Sequence, residues 1–177
     1  MKEIAQNFKE QGNEYFRGKR YREALGFYTQ GVDAKPDDVQ LKEALVLNRA
    51  ACNLELRVSF LFYLTCFVRG CVENYGSVLR DCATVIAANP RASKAYYRAG
   101  LALLALERVD EALDVCTRAG EGAAEDMGFR TLRARAEKVR EELRRKEEVR
   151  KERARRAKEE KRKMDVAFAV RFSLSLS

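Results

Sequence analysis

Five side chains in this sequence carry the chemistry it can do: Lys9 and Asn13 four residues apart, Asn48 by itself, and Lys94 and Arg98 again four apart. Spacing of i, i+4 sets each pair on one face of a helix. Cations beside amide donors suit a ligand that presents two carboxylates close together. Charge-assisted hydrogen bonds contribute about 1.5–3 kcal/mol each, and asparagine supplies donors without further charge. A lone Lys or Arg on a helix is usually only solvated, so the argument turns on whether the fold gathers all five on one surface.

Other chemistries lack their residues. There is no histidine, and the five cysteines (Cys52, Cys66, Cys71, Cys82 and Cys116) form no CxxC pair, so no metal site, cofactor or catalytic dyad is expected. With no phosphate-binding loop either, the chain is not expected to be an enzyme. Cysteine usage suggests a reduced, intracellular protein. The sequence starts Met1-Lys2-Glu3 and lacks the apolar core of a signal peptide. Its one lipophilic run, Val58 to Val68, is too short for a membrane span, which needs about 20 residues.

The elements that must position the five residues come from an internal repeat. With a unit started at Ala5, Phe8, Gly12, Tyr15, Ala24, Tyr28 and Pro36 fall at positions 4, 8, 11, 20, 24 and 32, a helix-turn-helix pattern. Small residues at 8 and 20 let two helices approach, and the aromatics fill the space between them. A unit from Ser93 repeats the register with Tyr96, Gly100, Leu103, Ala112 and Cys116. A unit from Glu43 puts Ala50 at position 8, but closes only when Val58 to Glu73 is excised, which brings Val78 to 20, Cys82 to 24 and Pro90 to 32. Cys82 and Cys116 therefore read as packing residues. The pattern predicts helices at about 2–17, 20–34, 39–57, 75–88, 92–105 and 108–120, and a last one from about Glu125.

These units resemble tetratricopeptide repeats (TPRs). The resemblance implies an all-α fold of three helix pairs forming a right-handed superhelical groove lined by the first helix of each pair. A capping helix would cover the open end and continue as a long charged helix. The expected division is a repeat domain over 2–123 (units at about 5–38, 43–92 and 93–123), a capping and basic helix over 124–163 and a disordered tail over 164–177. Lys9-Glu-Gln-Gly-Asn13, Leu47-Asn48-Arg49-Ala50 and Lys94-Ala-Tyr-Tyr-Arg98 are moreover similar to the two-carboxylate clamp of heat-shock co-chaperones. By that resemblance Lys9, Asn13 and Asn48 would hold the main-chain carboxylate of a terminal Asp, and Lys94 and Arg98 its side chain. The implied partner is the Glu-Glu-Val-Asp terminus of heat shock protein 90 or 70, bound by a monomer in the cytoplasm, the nucleus remaining open. The linker from Lys35 to Lys42 and the Lys/Glu-rich extension look most like the tetratricopeptide repeat protein 4 co-chaperones, whose small C-terminal domain has no counterpart here.

Two segments depart from the pattern. Val58 to Glu73 is expected to loop out at the turn between the second unit's helices. It reads either as an in-frame retained intron, since Val-Ser can be encoded by GT-AGT and its removal restores 34 residues, or as a hydrophobic contact surface. Met164 to Ser177 drops the preceding charge pattern, as a truncated or alternatively read end would. The formal charge of +8 lies wholly between Arg133 and Lys163, where 16 basic residues face 8 acidic ones. Spaced i, i+4 charge pairs can hold that stretch helical without a core. It could act as a solvated spacer or meet phosphates, which leaves a second functional reading: an RNA- or ribosome-associated basic protein using its repeats as scaffold.

Overall fold

The computed structural model describes residues 1–60, 68–120 and 126–175, side chains between 57 and 73 and beyond 165 excepted. Among them are seven helices and no strand: α1 Lys2–Arg17, α2 Tyr21–Asp33, α3 Val39–Phe60, α4 Val68–Ala88, α5 Ser93–Ala105, α6 Val109–Arg118 and α7 Met127–Ser175. The chain divides into two compact units, Met1–Glu137 and Lys138–Ser177. In the first, α1 to α6 each pack on their neighbours in that series, and α3 also touches α1 and α5. That is the nearest-neighbour stacking of TPR pairs.

The repeat arithmetic predicts the core. Ala24 and Tyr28 are buried between α1 and α2, Val78 and Cys82 between α3 and α4, and Ala112 and Cys116 around α6. Gly12 shows why position 8 must be small, since a Cβ there would stand 2.6 Å from the Tyr28 ring. At the open end, Phe129, Leu132 and Ala136 on the first turns of α7 are buried, and Tyr97 meets the Phe129 ring edge-on at 5.5 Å. Burying a leucine such as Leu132 contributes about 2 kcal/mol, so the helix expected from about Glu125 does close the last pair.

The first helices of the first and third units end alike. Arg20 N–H donates to the Tyr15 carbonyl and Lys19 N–H to that of Phe16, each at 2.9 Å; Arg108 and Glu107 repeat this with Leu103 and Leu104. This double closure satisfies the last carbonyls of a helix and puts one residue in the left-handed region. The residue is not a glycine: Lys19 has φ of 59° and Glu107 φ of 58°, while Gly18 keeps φ at −74°. Because an L side chain there costs about 1 kcal/mol, Lys19→Gly is expected to raise the thermal midpoint by a few degrees in a calorimetric scan. An unchanged or lower midpoint would mean that the lysine side chain offsets the strain.

The second unit differs from the sequence expectation. The inserted residues do not all loop out, for α3 continues to Phe60 and α4 begins at Val68 instead of Tyr75. Extending a formed helix adds one hydrogen bond per residue, and the run holds no proline to stop it. Residues 61–67, and with them the middle of the proposed intron, lie outside the described residues. The tail expected to be disordered is helical as far as Ser175, where again neither Pro nor Gly interrupts the ladder.

Candidate functional site

Asn13 is the centre of the site. Its Oδ1 accepts the Tyr28 hydroxyl at 2.7 Å and Asn48 Nδ2 at 3.1 Å, so α1, α2 and α3 converge on one amide oxygen. Burial pushes the Tyr28 hydroxyl up to about 12, which keeps it a donor at any physiological pH. With its oxygen engaged twice, the Asn13 amide has a fixed orientation and its nitrogen is left for the groove. Asn48 reaches this point because α3 runs unbroken through it, so the insertion leaves the second unit's first helix in place.

Arg98 enters from α5. Its Nη1 donates to the Leu47 carbonyl at 2.6 Å, tying α5 to α3. Burial is the largest influence on the guanidinium and draws its pKa below the usual arginine value, with Cys82, Cys52 and Tyr28 nearby. Among the described residues Arg98 forms no ion pair. It is a half-buried cation with one neutral acceptor, and a desolvated charge of that kind favours an incoming anion.

Two adjoining cavities run past these residues. One, of about 320 Å³, is lined by Asn13, Phe16, Arg17, Tyr28, Asn48, Ala51 and Arg98. The other, of about 530 Å³, shares Phe16, Ala51 and Arg98 and extends along Lys94, Tyr97 and Leu101 to Phe129. Of the five residues singled out from sequence, Asn13, Asn48 and Arg98 therefore share a wall, and Lys94 stands exposed at the neighbouring cavity. Lys9 lies one turn before Asn13 on α1, half-buried, and lines neither cavity.

Several lining residues escape the sequence argument. Phe16 and Arg17 follow Asn13 at i+3 and i+4, and Glu55 follows Asn48 at i+7, so helical spacing alone could have found them. Phe129 could not be found that way, because it comes from the capping helix. Apolar walls (Phe16, Ala51, Leu101) with cationic and amide groups at one end suit an extended peptide that ends in carboxylates. Behind the groove, Cys52 and Cys82 are buried, and burial pushes both thiols up to about 12, far from the thiolate a nucleophile needs.

The fold is that of a TPR domain, with a groove along its first helices. Comparison with known proteins narrows the class: the relatives of this chain include the Cns1 and tetratricopeptide repeat protein 4 co-chaperones. It is 46% identical over 116 residues to the Hsp70/Hsp90 co-chaperone cns1 of Schizosaccharomyces pombe, covering 66% of this chain and 28% of that protein. Against human tetratricopeptide repeat protein 4 it is 30% identical over 138 residues, 78% of this chain and 32% of the relative. The chain thus spans about a third or less of the curated relatives it matches. The solved Hsp90 co-chaperone Cns1 of Saccharomyces cerevisiae superposes with a TM-score of 0.73 at 31% identity, over 88% of this chain and 45% of that one. The first TPR of Spaghetti (RPAP3), solved bound to the HSP90 peptide SRMEEVD, gives 0.63 at 27% identity over 78% and 94%. No family model matches the chain.

Proposed function

We propose that this chain is a chaperone adaptor whose groove holds the acidic carboxyl terminus of heat shock protein 90 or 70. Asn13 and Asn48, with Lys9 beside them, would receive the main-chain carboxylate of the last Asp, and Lys94 and Arg98 its side chain. The observation that carries the reading is Arg98: a half-buried guanidinium without a carboxylate partner among the described residues, in the cavity where the two asparagines meet. The relatives' names and the peptide solved in the Spaghetti domain agree with it. A cytoplasmic place of work follows from such a partner.

Calorimetric titration with a peptide ending Met-Glu-Glu-Val-Asp tests the proposal. Ordering the peptide offsets much of the gain from charged hydrogen bonds, so a micromolar Kd, near −8 kcal/mol, is expected. Affinity should fall several-fold as salt rises and screens the ions. An amidated terminus removes one carboxylate and should abolish binding. Equal affinity for the amidated peptide would overturn the clamp.

A further inference from the structure

The second unit, Lys138–Ser177, offers a separate surface. Between Lys138 and Lys163 every carboxylate that forms an ion pair does so within its own helix turn: Glu141 with Arg144 and Arg145, Glu147 with Lys151, Glu152 with Arg155 and Arg156, and Glu159 with Lys163. These pairs leave eight of the fourteen basic residues in the stretch without an ion pair. Their placement is not random. At about 100° per residue, Lys146, Arg150, Arg153 and Lys161 form one row along α7, and Arg140, Lys158 and Arg162 a second row about 100° around the helix. Only Lys138 falls outside this half of the circumference. Of the stretch's seven acidic residues, only Glu147 lies within that half, and it is already paired with Lys151. All seven cations of the two rows are exposed.

From this segregation we infer that α7 binds duplex RNA through its phosphates. From Arg140 to Arg162 the free cations extend about 33 Å along the axis, a length over which a duplex presents roughly 20 phosphates. Two rows of cations match two phosphate strands, whereas a single strand offers one and would call for aromatic stacking platforms. Lys138 to Lys163 contains no aromatic, amide or hydroxyl side chain, so it can grip a backbone but is poorly equipped to read base edges. That suits duplex RNA, whose deep, narrow major groove is closed to side chains and which is engaged by shape and backbone. A membrane surface fits poorly, because the half opposite the cations carries carboxylates and not an apolar stripe.

The test is fluorescence anisotropy of the full chain with a 20-base-pair RNA duplex of arbitrary sequence, at several salt concentrations. A plot of log affinity against log salt should have a slope of about −5 if five or six phosphates are neutralised. The variant Lys146→Glu/Arg150→Glu/Arg153→Glu should lose at least tenfold in affinity and flatten the slope by about 3. A control with the same change in net charge, Lys138→Glu/Arg145→Glu/Arg156→Glu, should lose less than threefold, with circular dichroism confirming that both variants keep their helix. Equal losses in the two variants would overturn the inference, since net charge would then suffice. So would absence of binding at 50 mM salt, or tighter binding of a DNA duplex or single-stranded RNA. Competition by polyglutamate at matched charge would point to an acidic protein instead.

Discussion

Asn13→Asp is expected to weaken binding of the Met-Glu-Glu-Val-Asp peptide by more than a hundredfold while leaving the fold intact. An aspartate keeps an oxygen where Tyr28 and Asn48 donate, so the three-helix junction survives. What changes is the groove side: the amide donors vanish and a carboxylate stands where the ligand's own carboxylate would sit. Losing a charged hydrogen bond costs about 1.5–3 kcal/mol. Repulsion at 4 Å adds about 1 kcal/mol in water and several-fold more near a protein surface. Together these exceed the roughly 2.7 kcal/mol that a hundredfold loss requires. Titration calorimetry reads the affinity, and thermal denaturation checks that the midpoint moves by only a few degrees. An unchanged Kd in a folded variant would place the ligand's carboxylates elsewhere.

The largest effect on stability should come from Arg49→Ala. The Arg49 guanidinium meets Asp81 with two parallel hydrogen bonds, Nε at 2.9 Å and Nη2 at 2.6 Å, joining α3 to α4. That hydrogen bond holds Arg49 above its ordinary pKa. Both side chains are mostly buried, 24% and 10% exposed, so removing the cation leaves an unpaired carboxylate in a dry setting. Breaking such a pair costs about 3–5 kcal/mol, which for a domain of this size lowers the thermal midpoint by about 10 °C. The double replacement Arg49→Met/Asp81→Leu should recover most of the loss, because an apolar pair of similar volume needs no partner. If the single and double variants melt together, the ion pair is not what joins the helices.

The first and third units were legible in the sequence because Gly12 and Tyr28, or Gly100 and Ala112, sit at fixed intervals that only a helix pair explains. The second unit was legible only in part. Its core residues Val78 and Cys82 are where the register puts them, but periodicity does not say what an inserted apolar run will do. Whether α4 starts at Tyr75 or at Val68 depends on helix propagation, which leaves no mark in the spacing. For the candidate site, i, i+4 spacing led to Asn13 and Arg98, and residue type and place in the repeat led to Asn48. Spacing along one helix cannot show that the Asn13 oxygen is shared by Tyr28 and Asn48, nor that Arg98 binds the Leu47 carbonyl, because those partners are 15, 35 and 51 residues away. Phe129 was out of reach for the same reason.

The junction at Asn13 also bears on the order of the repeats. Stacked units resemble one another, and apolar contacts alone would let them be shuffled at little cost. The third unit, however, carries Leu101 at the position of Asn13 and Cys116 at that of Tyr28. Moved to the front of the array, it would leave the Asn48 amide without its oxygen and the groove without its amide. The sequence of units is therefore written into hydrogen bonds as well as into shape, and a circularly permuted array should keep its helices and lose its ligand.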